Sequence, residues 1–98
     1  MKRGRAASFR PVPGTEWVKD ATETLLVEQV TGKCWTLEGV EAIIWDLLTL
    51  DYSSRAAEGL LSELLQVPRA EARATLLTVL EAWKADRLVC PAEEPGCG

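Results

Sequence analysis

A chain of 98 residues, 47% apolar and 27% charged, is long enough to bury one modest core and too apolar for wholesale disorder. Its net charge of −4 gives no general basis for nucleic-acid binding, because phosphate affinity rests on clustered Lys and Arg that displace counterions. Three cysteines, Cys34, Cys90 and Cys97, with no histidine describe neither a disulfide framework nor a zinc site, so reduced thiols and no metal are expected.

The opening Met1-Lys2-Arg3-Gly4-Arg5 has the charge of an export signal, but Ala6 to Pro13 supplies no apolar stretch behind it. The apolar run from Val40 to Leu50 is interrupted by Glu41 and Asp46 and falls short of the ~18 residues of a membrane span. A cytoplasmic chain with no membrane partner is the expectation. Gly4, Pro11, Pro13 and Gly14 mark residues 1–15 as a flexible lead-in, although Phe9 is able to pack locally. Residues 16–90 form the domain, and the breaker-rich residues 91–98 form a flexible tail.

Strand signals come first. Trp17 to Lys19 reads as a short strand, and Asp20 to Glu23 turns the chain. Thr24 to Val30 is rich in strand-forming residues and bounded by polar turns. Thr31-Gly32 makes a hairpin turn. Lys33 to Leu37 then follows with a period of two, which puts Trp35 and Leu37 on one face and Cys34 and Thr36 on the other. Trp35 is expected in the core.

From Glu38 the period changes. Val40, Ile43, Ile44, Leu47 and Leu48 form one helical stripe, and Trp45 lies off it, either on a partner surface or, as preferred, at the core's edge. A second helix starts after Ser53 or Ser54 as N-cap, with Ala57, Leu60, Leu61, Leu64 and Leu65 as its stripe. Gly59 within it is tolerable where another element approaches closely. Val67-Pro68 ends that helix and begins a third, about Arg69 to Ala85. There Ala72, Leu76, Val79, Leu80 and Trp83 form the stripe, while Ala70, Ala74 and Leu77 widen it sideways. The extra width fits either a crowded core or a groove.

The fold class is therefore α+β and winged-helix-like: a three-stranded antiparallel sheet followed by three helices. Catalysis is not expected. No histidine exists to serve as a base, no Gly-rich phosphate loop is present, and the carboxylates of Asp20, Glu23, Glu93 and Glu94 fall in turns or the tail. In a meander, however, the last strand can lie at the sheet's edge with a row of unpaired backbone groups, and such an edge accepts an extended peptide.

Lys33-Cys34-Trp35-Thr36-Leu37, the segment Gly39 to Leu48, and Trp83 to Val89 together resemble the PqqD-like family, the relatives of pyrroloquinoline quinone synthesis protein D also known as RiPP recognition elements. The resemblance runs from about Trp17 to Val89, and a chain with nothing fused looks most like the stand-alone type of lasso peptide pathways. It implies a protein that binds the leader of a ribosomally made precursor and presents it to a maturation enzyme, a leader peptidase or a radical SAM protein, without catalytic residues or a cofactor of its own. The leader would add a strand to the third strand and pack against the third helix. By that resemblance the peptide-facing residues are Lys33, Cys34, Trp35 and Thr36 through their backbone, with Arg73, Leu76, Leu77, Leu80 and Lys84 on the helix. Glu38 stands where the family has a polar residue.

Two rival readings follow from the same elements. One is a winged-helix DNA-binding regulator using Arg69, Arg73 and Lys84, which Glu71 and Glu81 oppose. The other is a structural dimer module that buries the open edge or the wider arc against another copy. For the peptide-binding reading the oligomeric expectation is a monomer or a domain-swapped dimer.

Overall fold

The computed structural model describes residues 9–20 and 22–91. In chain order the elements are β1 (Phe9–Pro11), β2 (Thr15–Asp20), β3 (Glu23–Glu28), β4 (Cys34–Glu38), α1 (Val40–Thr49), α2 (Ser54–Leu65), α3 (Arg69–Ala85) and β5 (Val89–Pro91). The expected α+β class holds: β2, β3 and β4 form an antiparallel meander in that order, and the three helices follow it. One feature of the sheet structure was not anticipated. Within the expected lead-in, β1 pairs antiparallel with β5, Phe9 opposite Pro91 and Pro11 opposite Val89. Strands of three residues carry too little periodicity to be read from sequence, and these two are held by packing, with Val89 buried and Phe9 against the core.

The register of the meander sets its two faces. Trp17, Leu26 and Trp35 lie in one cross-strand row, and Lys19, Thr24 and Leu37 in the next. Residues directly opposite in antiparallel strands point to the same side, so these rows share the inner face, where Leu26 and Leu37 are buried and Trp35 packs partly on the core. The second strand ends earlier than expected. Its last two expected residues, Gln29 and Val30, belong to the turn because the Glu28 carboxylate accepts bonds from Val30 N at 3.0 Å, Thr31 N at 2.9 Å and Thr31 Oγ1 at 2.5 Å. Those bonds, the Thr31 hydroxyl foremost, hold the Glu28 carboxyl below the usual carboxylate range. Gly32 takes φ 76° in the same turn, a left-handed geometry that glycine adopts without a Cβ clash.

α1 crosses under the sheet and carries the centre of the core. Trp45 is not at the edge: it is 0% exposed and stands between Trp17 of β2, at 5.4 Å and 83°, and Trp83 of α3, at 5.3 Å and 80°. Both are edge-to-face contacts, which aromatic quadrupoles favour. A single-stripe reading misplaced Trp45 because α1 has neighbours on more than one side. The ion pair from Lys19 to Asp46 ties β2 to the same helix.

α2 starts as expected, with Ser53 Oγ accepting from Ala56 N at 3.1 Å, and it ends at Gln66 in a left-handed conformation, φ 57°. A Cβ added at Gly59 would meet the end of the Arg69 side chain at 3.7 Å, an ordinary van der Waals contact, so the expected close approach is absent and a methyl group would fit. α3 starts after Pro68 at Arg69 and buries Ala72, Leu76, Leu80 and Trp83. Cys34 is a free thiol, whereas Cys90 is disulfide-bonded. The expectation of reduced thiols is corrected at Cys90.

Candidate functional site

The sheet order places β4 at an edge, paired on one side with β3. Its backbone phase follows from one bond. Glu28 N donates to Lys33 O at 2.9 Å, which makes residues 28 and 33 a hydrogen-bonded pair. Hydrogen-bonded and non-bonded pairs alternate along an antiparallel ladder. With Leu26 opposite Trp35 and Thr24 opposite Leu37, Trp35 and Leu37 therefore spend their N–H and C=O groups on β3. Cys34, Thr36 and Glu38 turn theirs outward. Among the described residues no strand pairs with that outer side, so β4 presents donors and acceptors at intervals of about 6.6 Å, two residues of strand.

Side chains on β4 divide the same way. Cys34 and Thr36 are exposed, Trp35 is half-buried and Leu37 is buried. Cys34 Sγ lies 3.6 Å from Gly32 O. Lys33 is exposed in the turn that leads into the strand. The strand thus offers an extended peptide a backbone ladder from Cys34 and Thr36, with Trp35 and Leu37 on the face to which such a peptide would direct its inward side chains.

The five helix positions do not share one environment. Leu76 and Leu80 are 4% and 5% exposed and belong to the core. Leu77 is 51% exposed, and Lys84 and Arg73 are exposed too. At 100° per residue Arg73 and Leu77 are one turn apart, and Lys84 follows two turns after Leu77, so the three lie along one strip of α3. That strip borders the core stripe formed by Leu76 and Leu80. Arg73 is already engaged, with Nε 3.4 Å from Glu58 Oε2 on α2, and Arg69 Nε lies 3.8 Å from Glu58 Oε1. Arg69 Nη2 also donates to Arg55 O at 2.7 Å. Two of the three cations considered for phosphate contact are thus turned to α2.

Among the described residues no group of three or more His, Cys, Asp or Glu is placed to hold a metal, and no helix is long and apolar enough to cross a membrane. A cleft of about 360 Å³ opens between the β1–β2 loop and the end of α1, lined by Pro13, Trp17 and Thr49 among others. It lies on the β2 side, away from β4.

One surface escaped the sequence reading. Leu25 and Val27 on β3 and Val18 on β2 are exposed on the outer face of the sheet. The signal was there: Leu25-Leu26-Val27 is apolar at both strand phases, whereas a strand with one wet face should alternate.

The chain matches no family model and no curated protein. Its fold is similar to the solved lasso peptide synthetase B1 complexed with the leader peptide, at TM-score 0.78 and 21% identity, over 87% of this chain and 100% of that one. It is similar also to TbiB1 in complex with the TbiA(beta) leader peptide, at TM-score 0.77 and 20% identity, over 82% of this chain and 93% of that one.

Proposed function

We propose that this chain is a PqqD-like RiPP recognition element: it binds the leader segment of a ribosomally made precursor peptide and presents it, without catalysing a step itself, to a maturation enzyme. The observation that carries the reading is the outward row of backbone groups at Cys34 and Thr36 on the open edge of β4, in a fold shared with two proteins solved with leader peptides bound. Ribosomal synthesis of the precursor places the encounter in the cytoplasm.

In this reading the leader lies antiparallel or parallel along β4 as a fourth strand of the sheet. Backbone bonds to Cys34 and Thr36 supply docking that is independent of the leader's sequence. Selectivity comes from its inward side chains, which lie beside Trp35 and reach toward α3, where Leu77 is the exposed apolar contact, Leu76 and Leu80 form the floor, and Lys84 and Lys33 set the charge at the ends. An edge strand on a rigid three-helix support needs little rearrangement to accept this strand, which keeps the entropic cost on the peptide's side. The maturation partner is a leader peptidase or a radical SAM enzyme, and the likeness to a lasso peptide synthetase B1 structure favours the lasso peptide type.

The test is titration with synthetic leader segments of candidate precursor peptides, read by fluorescence anisotropy, followed by mass spectrometry of the recovered peptide. Saturable binding with an unchanged peptide mass is the expected result. Absence of binding, or cleavage or modification by the pure protein, overturns the reading.

A further inference from the structure

Both faces of a sheet need an account, and the outer face of this one has an unusual composition. Residues that pair directly share a side, so the outer positions fall into three rows: Glu16, Val27 and Cys34; Val18, Leu25 and Thr36; Asp20, Glu23 and Glu38. The middle row and Val27 make an apolar centre, with Val18 63%, Leu25 42% and Val27 38% exposed. The third row sets three carboxylates side by side across strands about 4.8 Å apart, and Glu16 adds a fourth at the opposite end. No Lys or Arg stands among these positions. Like charges directly opposite one another oppose sheet pairing, so the row is a local cost to the fold that cations from outside would relieve.

We infer that this outer face docks a second protein, one that presents apolar side chains inside a rim of Lys and Arg, and that within the function proposed above this partner is the maturation enzyme. Charge decides between occupants. A second copy of this chain laid face to face would bring four carboxylates against four carboxylates, and nucleic acid would meet the same repulsion. Apolar centre with charged rim is the anatomy of a protein interface.

Size adds a further consequence. Three strands by about five residues give a face on the order of 200 Å², well short of the ~800 Å² per partner that a stable interface buries. A leader added to β4 widens the sheet by one strand, about 4.8 Å, and turns half of its own side chains to this outer side. The loaded chain therefore offers more contact than the empty one, and peptide and enzyme bind together rather than in competition. By linkage each raises the other's affinity by the same factor.

The test uses the full chain, its synthetic leader and the purified enzyme that processes the same precursor, with leader binding and enzyme binding measured separately. Leu25→Asp and the charge reversal Asp20→Lys with Glu23→Lys are expected to weaken enzyme binding at least tenfold while leader binding changes less than twofold. Wild-type enzyme binding should weaken with salt and strengthen with leader present. Enzyme binding that is unchanged in both variants overturns the docking surface, even where the leader still binds as proposed. Loss of leader binding in the unaltered chain overturns instead the functional reading on which this inference rests. Sedimentation that shows the wild type to be a dimer, and the variants to be monomers, reassigns the face to self-association and overturns the inference as well.

Discussion

Replacing Thr36 by Pro tests strand addition at a single atom. The Thr36 N–H points to the open side of β4, because the alternation fixed by the Glu28 to Lys33 bond gives the β3-facing bonds to Trp35 and Leu37. Proline at such a position deletes a donor that folding does not use, and edge strands tolerate it. In the complex the loss has two parts: the net worth of the hydrogen bond, about 0.5–1.5 kcal/mol, and the desolvated leader carbonyl left without a partner, about 1–3 kcal/mol. Together they amount to roughly 2–4 kcal/mol, or about 30- to 1,000-fold in Kd. Thr36→Ala keeps the donor and removes only an exposed side chain, so a change within threefold is expected, well under about 1 kcal/mol. Fluorescence anisotropy of labelled leader measures both variants, and circular dichroism melts confirm that each is folded. Equal affinities in two folded variants would refute docking through the β4 backbone.

Leu77→Asp should cost at least tenfold in leader affinity, since burying a leucine stabilises a complex by about 1.5–3 kcal/mol, while its half-exposed position keeps the change in Tm within about 4 °C; a collapse of the melt would place Leu77 in the core. Trp45→Ala should do the reverse, lowering stability by about 3–5 kcal/mol because Trp45 joins Trp17 to Trp83, and a stable variant would contradict the central place given to that ring. The Glu28 carboxyl is lowered by its turn bonds, so its contribution is present above the unfolded value of about 4.3 and fades as pH falls through the lower folded value. Amide exchange at Val30 and Thr31, extrapolated for intrinsic rate, should therefore rise on acidification in the wild type, and Glu28→Gln should remove most of that pH dependence. A turn equally protected in both proteins would show that the carboxylate does not hold it.

The parts of the fold that were legible are those where local chemistry and tertiary structure agree. Ser53 capped its helix as a serine should, Pro68 opened α3, and the switch from period two to the helical period fell at Glu38 and Gly39, where β4 gives way to α1. Trp45 was misjudged because a stripe argument assumes one neighbour, and α1 has packed aromatics on two sides. β1 and β5 were missed for a different reason: each has three residues, and the pair is joined by contacts between opposite ends of the chain. For the candidate site, the sequence indicated an edge strand and a wide helix arc, yet it left open which N–H groups face outward. That depended on the register and on the hydrogen-bond phase of the β3–β4 ladder. The helix positions divide because exposure on α3 changes over a single residue, from Leu76 in the core to Leu77 in solvent.

Amide hydrogen exchange with and without leader reads the proposed β4 ladder atom by atom without altering the chain. Added leader should slow exchange at Cys34 and Thr36, whose N–H groups face the open edge, and in α3 around Leu77, while Trp35 and Leu37, already bonded to β3, should change little. Protection confined to α1 and α2, or to the β2 edge, with Cys34 and Thr36 unaffected, would contradict docking at β4.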